Sequence, residues 1–555
     1  MKNKFFKKAV VMLLAVSMLG TTILTGCGKK DDSVSSGGNA TKPEGDYGIN
    51  VSVGPEPETI DPTLNTAVDG GTLINHAFEG LMKLDQEGNI VEGMAESYTV
   101  SEDNLVYTFK IRDDAKWSDG TDLTADAFVY SWQRAVDPAT ASDYNYMIDM
   151  VVNANEIMAN EKDKSELGIK ALDSKTLEVT LTVATPYFLE ICAFPTTYPL
   201  REDIISANPD TWATDPATYI GNGPYVLKSW THQSEMVYEQ NQYYYDVDKL
   251  GPKTINFKLM EDNNTILASF ENGEILFGDD LPTADVERMT GNGYYVEGQL
   301  GTYFLCLNVE VDALKDVRVR KALSLAIDRQ YVIDYVSKGG EQAADTFVAT
   351  GLTDEDTTKE FHDVANKWYS VDPADYDKNV EEAKKLLAEA GYPNGEGFPT
   401  IEYMINSSSA HQEIAEAITY MWKEKLDINS SISAQDWAVF IGTRDAGDYQ
   451  IARHGWLADY NDPISFLDMW VTNGGNNDAN YSNPKYDELI AKVKASSDRA
   501  ERIAYMHQAE DILGEDMPII PIYFYTDKYL KADKLKGFYT SPLGFKFFKF
   551  AYVEE

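Results

Sequence analysis

Cysteine is nearly missing from this chain: three occur in 555 residues. Cys192 and Cys306 are too few for a disulfide framework and read as one pair or as two buried free thiols. Basic residues are scarce too. Lysine and arginine number 48 against 90 aspartates and glutamates, a formal net charge of −42. Such a surface repels nucleic acid and anionic headgroups, which excludes nucleic acid as a partner. The six histidines, at 76, 232, 362, 411, 454 and 507, show no metal-ligand spacing. Asp372, Asp375, Asp377 and Asn379 mimic a calcium loop but lack its central glycine, and read better as a helix N-terminus. Past Cys27 no segment approaches the roughly 18 consecutive apolar residues of a membrane-spanning helix. The Gly-x-Ser-x-Gly elbow, His-Glu-x-x-His and the Walker A loop are absent, so no enzyme, metal or cofactor is expected. A hydrolase built on a nucleophile–base pair is neither shown nor excluded at this level.

What is present begins at the N-terminus. Lys2, Lys4, Lys7 and Lys8 precede a short apolar run that ends in Leu24-Thr25-Gly26-Cys27. A basic start, an apolar core and small residues before the cut make a secretory signal over 1–26. Small residues followed by cysteine resemble a bacterial lipobox. The resemblance implies cleavage before Cys27 and a lipid on its sulfur, with palmitate among the acyl chains. The alternative is an ordinary signal or anchor helix with a chance cysteine. The stretch 27–46 lacks aromatics and is rich in glycine, serine and charge. It reads as a disordered tether spanning roughly 25 Å. A tether of that kind holds a globular body at the outer face of a cell membrane, and the lipobox resemblance implies a bacterial, Gram-positive one.

The body is globular, with 43% apolar and 12% aromatic residues. It is too long for a single core, so two or three domains are expected. Thirty-four tyrosines and nine tryptophans suit a pocket for varied organic ligands. The other reading is an extracytoplasmic protein that is simply tyrosine-rich. Tyr107 to Ile111 and Thr176 to Leu181 alternate as half-buried strands. Lys315 to Val336 reads as one helix, with Ala322, Leu325, Ala326 and Arg329 on one face. Asp377 to Ala390 reads as a second, with an apolar stripe at Ala383, Leu386, Leu387 and Ala390 and an expected Glu381–Lys385 pair. Gly391 and Pro393 stop it. The expected class is mixed α/β (α+β).

Four stretches stand out. Lys116-Trp117-Ser118-Asp119-Gly120 leads into Leu123 to Arg134. Gly221-Asn222-Gly223-Pro224-Tyr225 precedes a strand and Asn241-Gln242-Tyr243-Tyr244. Asp316-Val317-Arg318-Val319-Arg320 opens a helix. Arg453-His454-Gly455-Trp456-Leu457-Ala458-Asp459-Tyr460-Asn461-Asp462-Pro463 is the fourth. Each alone has a plain reading: buried tryptophans, a turn at Gly223-Pro224, a turn cap at Asp459. In this order and spacing, from about Tyr47 to the C-terminus, they resemble the oligopeptide-binding proteins of ABC peptide importers, extracytoplasmic solute-binding proteins of family 5.

The resemblance implies a two-lobed, hinged fold of the periplasmic-binding-protein kind with an extra third domain. Domain I would take 46–78, 204–300 and 527–555, domain II 79–203 and domain III 301–526. It implies a monomer that binds short peptides in extended form between its lobes and delivers them to ABC permease subunits. Asp459 matches the position that receives the peptide amine. Arg453, Arg444 and His411 match cationic positions for the peptide carboxylate. Tyr144, Trp437 and Trp456, with Gly455 beside the last, match pocket residues. Thr66 to Val68 match the segment that pairs with the peptide backbone, although Thr66 stands where familiar members carry an acid. Receptors for dipeptides, cell-wall peptides or peptide pheromones are the alternatives within the family. A surface hydrolase or adhesin lies outside it.

Overall fold

The computed structural model describes residues 47–554, so the signal, Cys27 and the tether lie outside the described residues. A single eleven-stranded mixed sheet forms the centre. In one half, Ile401–Asn406 lies parallel between Ser430–Gln435 and Ile451–Leu457. Parallel neighbours need crossover connections, and the helices Ser409–Leu426 and Trp437–Asp445 lie in them. In the other half, Gly48–Ser52 runs parallel to both Thr254–Lys258 and Phe277–Asp279. An antiparallel edge of Glu235–Gln240 and Tyr225–Thr231 completes it.

Two long strands tie the halves together. Tyr294–Leu307 and Ile519–Lys531 pair antiparallel, one end beside Phe277–Asp279 and the other beside Ile451–Leu457. Their ladder breaks register between Gly298 and Thr302 and again between Tyr303 and Phe304. Gly301 is required there. A Cβ would lie 2.2 Å from Leu457 Cδ2 and 2.7 Å from the Trp456 carbonyl oxygen.

A separate four-stranded antiparallel sheet, Ala95–Val100, Val106–Ile111, Thr176–Thr180 and Ile169–Asp173, falls within 79–203. Burial alternates along Val106–Ile111 as its sequence predicts. Trp117 and Trp132 are core residues, and the Trp132 indole N–H donates to the Thr197 carbonyl at 2.9 Å. Cys192 and Cys306 are buried free thiols. Among the described residues no cluster of side chains is arranged to hold a metal, and no helix is long and apolar enough to cross a membrane.

Two local expectations need correction. The helix expected over Lys315 to Val336 is interrupted. It runs Val317–Leu325, restarts at Arg329–Tyr331 under an Asp328 cap, and continues as a wider π-turn over Val332–Ser337. Arg329 explains the break. It is buried, and its guanidinium donates to the carbonyls of Pro521 and Ser324, a geometry a straight helix does not offer. The second helix is Tyr376–Glu389, with Val380, Ala383 and Leu387 buried, and Gly391 beyond it at φ +101°. Its ion pairs are Lys384–Glu381 and Lys385–Glu382, three residues apart, so the expected Glu381–Lys385 pair does not form. Asp372 accepts from the Ala374 amide, in keeping with a helix N-terminus.

Candidate functional site

Strand Ile451–Leu457 sets the site because its side chains alternate. Ala452, His454 and Trp456 are buried, while Arg453, Gly455 and Leu457 on the other face are less so. Pairing with the long central strand puts Arg453 opposite Leu305 and Gly455 opposite Tyr303. Gly455 admits Tyr525 from the neighbouring strand: a Cβ would lie 2.2 Å from the Tyr525 hydroxyl oxygen. The chain then turns, and Ser465 fixes the turn. Its Oγ accepts from the Asp459 amide at 2.8 Å, and its carbonyl accepts from the Trp456 indole at 2.7 Å.

These residues face a cavity of about 370 Å³. Its walls come from distant stretches of chain, which include Thr66 to Asp69, Tyr144, His411, Trp437, Arg444, Arg453 to Asp459 and Tyr523 to Lys528. A seam of contacts joins 144–190 to 459–494 beside it. Tyr187 stacks on Tyr460 at 4.3 Å with planes 6° apart. Glu190 accepts from the Asn461 amide at 2.6 Å, Lys494 lies 2.6 Å from Asp149, and Asn476 donates to the Tyr146 hydroxyl at 3.2 Å.

Asp459 is buried with little to stabilise its charge. It is 5% exposed. One carboxylate oxygen accepts from the Tyr144 hydroxyl at 3.1 Å, and the other has no partner. Burial, with the nearby Asp468 charge adding to it, pushes its pKa well above the usual carboxylate range, against the Tyr144 hydrogen bond. Asp468 itself is pushed up to about 6 by burial, opposed by Lys494 at 3.5 Å.

Arg453 has the opposite character. Its guanidinium lies 5.4 Å from the Tyr303 ring centre and 5.8 Å from that of Trp437, with one long contact, 3.4 Å, to the Tyr525 hydroxyl. Its Nε has no hydrogen-bond partner. No carboxylate among the described residues pairs with it, as every ion pair formed there involves other groups. Arg444 lines the same cavity, but its charge is engaged: Nε lies 2.7 Å from Asp478 in an ion pair whose angle makes no hydrogen bond, and Nη2 lies 3.5 Å from Asp445. His411 sits in the first turn of Ser409–Leu426. Burial, then the charges of Arg453 and Lys528, hold its pKa well below the ordinary value, so it is neutral there. His454, hydrogen-bonded to Asp478 at 2.9 Å, is lowered to about 4, chiefly by burial.

The structure therefore brings every anticipated residue of the body to one cavity: Asp459, Arg453, Arg444, His411, Trp456, Gly455, Trp437, Tyr144, Thr66 and Val68 all line it. Their electrostatic states differ from the sequence expectation, with Arg444 already paired and His411 uncharged. Sequence reasoning missed Asp69, Tyr525 and Lys528 on the same walls. Asp69 occupies the first turn of helix Val68–Ala77, where an acid reads as an ordinary helix-dipole preference. Lys528 and Tyr525 lie on a strand whose only signal is alternation.

The family model "Bacterial extracellular solute-binding proteins, family 5 Middle" matches residues 89–478. The oligopeptide-binding protein OppA of Bacillus subtilis is 34% identical over 98% of this chain and 99% of its own length. A crystal structure of Haemophilus influenzae OppA in complex with RPPGFSPFR superposes with a TM-score of 0.87 at 31% identity, covering 93% of this chain and all of that one. The unliganded open form of the murein tripeptide-binding protein MppA, 30% identical and covering 92% of this chain and 98% of its own, reaches only 0.60. The fold is thus the mixed α/β, two-lobed fold of these proteins, in an arrangement nearer the peptide complex than the open form.

Proposed function

This chain belongs to family 5 of the bacterial extracellular solute-binding proteins, and we propose that it is a receptor that encloses short, extended peptides between its lobes and hands them to an ABC permease. The observation that carries this is the pair of ionisable groups left without counter-ions in one cavity. Asp459 has a buried carboxylate oxygen without a partner, and Arg453 a guanidinium without an anion. A zwitterionic peptide supplies an ammonium for the first and a carboxylate for the second, and buried charges are stable only when paired. The aromatic walls of Tyr144, Trp437 and Trp456 add apolar surface for side chains. Thr66 to Val68 offer backbone for strand-like pairing. The family setting favours transport over hydrolysis. The reading includes the three-domain division stated above, with the two long central strands as the hinge, and a monomer.

Calorimetry with tri- to pentapeptides tests it. A receptor binds them and returns them intact on denaturation, and scattering shows a smaller radius of gyration with peptide than without. Peptide consumed during incubation, or no binding at any length, overturns the reading.

The tether belongs to the same proposal. A diacylglyceryl group on Cys27 would hold the receptor at the outer face of the membrane, since two acyl chains give stable anchoring where one does not. Cys27→Ser is expected to abolish labelling by radioactive palmitate and to move the protein out of the membrane fraction. A wild type that takes up no label excludes the lipid anchor.

A further inference from the structure

The charges lining the cavity do not balance once their internal pairs are removed. Lys546 is held by both carboxylate oxygens of Asp527 at 2.7 Å, and Lys528 lies 3.1 Å from Glu341. Arg444 is taken by Asp478. Arg453 is left as the unpaired cation. On the anionic side more remains. Besides Asp459, Asp69 has a buried carboxylate oxygen without a partner. Asp279 has only Lys546, 3.9 Å away and already engaged. A zwitterionic peptide brings one ammonium and one carboxylate, which answer Asp459 and Arg453 and leave Asp69 and Asp279 unanswered.

The surroundings of Asp69 make a subsite. Its carboxyl lies against the Trp437 indole N–H, which steadies the carboxylate without full hydrogen-bond geometry, and no cation pairs with it among the described residues. Gly54 approaches closely: at φ +144°, a Cβ there would make a tight 3.1 Å contact with the Asp69 Cβ. Glu261, which accepts from the Trp437 amide at 3.0 Å, adds a second carboxylate to the same wall. A carboxylate beside an indole, with a second carboxylate on the same wall, suits an ammonium or guanidinium on a flexible stem. The position of Asp69 in the first turn of Val68–Ala77 accounts for an acid there but not for an oxygen left unpaired in a cavity. Burial raises the Asp69 pKa to about 6, so at neutral pH it is largely ionised and its charge is available.

Resting on the peptide-receptor reading, we infer that Asp69, with Trp437 and Glu261, forms a side-chain subsite that selects peptides carrying lysine or arginine. Acidic side chains meet repulsion there.

Calorimetry on tripeptides and tetrapeptides with lysine, norleucine or glutamate scanned through each position tests this. Norleucine keeps the lysine stem without the charge. At one position lysine is expected to bind about tenfold or more tighter than norleucine, and glutamate weaker than either. In Asp69→Asn the lysine-to-norleucine ratio at that position is expected to fall to within about threefold, and in Asp69→Glu to persist. The ratio is independent of any general loss of affinity or stability in the variant. The subsite is overturned if lysine and norleucine bind alike at every position of the wild type, or if the ratio survives Asp69→Asn. Tight binding of the norleucine series without charge preference removes the subsite and leaves the receptor standing. Failure of every peptide to bind removes both.

Discussion

Asp459→Ala weakens peptides with a free amine by about a hundredfold to several-thousandfold and N-acetylated peptides far less. The expectation follows from the partner it leaves behind. Breaking one side of a buried ion pair typically costs about 3–5 kcal/mol, because the other charge is stranded, and each 1.4 kcal/mol or so is tenfold in affinity. The coupling is isolated by a double-mutant cycle of wild type and variant against free and acetylated peptide. Equal losses for both peptides would mean that Asp459 shapes the cavity without reading the terminus. The same carboxyl predicts a proton signature. Its pKa in the folded chain stands well above the ordinary value, with burial the main cause. Folded protein therefore holds that proton more tightly than unfolded protein does, and stability of the unliganded protein falls as pH rises from the usual carboxylate range through the raised value. An ammonium against the carboxylate pulls the pKa back down. Peptide affinity should thus rise with pH over that window, and binding should release a proton. Calorimetry in buffers of different ionisation enthalpy reads this directly, and the release should vanish in Asp459→Asn.

Arg453→Met is the companion result at the other end of the ligand. Methionine keeps much of the apolar stem that packs near Tyr303 and Trp437 but removes the cation. Peptides with a free C-terminal carboxylate should lose about a hundredfold or more in affinity, the cost of leaving an enclosed anion unpaired. Peptide amides should lose much less. Matched losses for acid and amide would assign Arg453 to packing. Arg444 does not back it up, since Asp478 and Asp445 already hold that guanidinium.

Much of this was legible in the sequence. The alternation of Tyr107 to Ile111, the stripe of Ala383 and Leu387 and the stop at Gly391 are local properties, and local patterns survive folding. Stretch 453–459 was legible only through the family resemblance, since alone Asp459 reads as a turn cap and Trp456 as a core residue. The broken helix after Leu325 was not legible, because Arg329 there is drawn to the Pro521 carbonyl, 192 residues further along the chain. Nor were Arg444 and His411 readable as charges. Their states depend on Asp478, Arg453 and Lys528, which only the fold brings near. Asp69 was hidden because a helix start explains it too well.

The stack of Tyr187 on Tyr460, the Lys494–Asp149 pair and the Glu190–Asn461 bond contain no ligand atoms. In a receptor that closes on its cargo across this seam, such contacts would favour the closed arrangement by the same amount whichever peptide is inside. A fixed bias of this kind scales every affinity together, since the observed dissociation constant is the intrinsic one divided by the competent fraction. Selectivity and overall tightness are thereby separable properties. Evolution can retune how long cargo resides by altering a seam that never touches it, while the list of accepted cargoes stays the same.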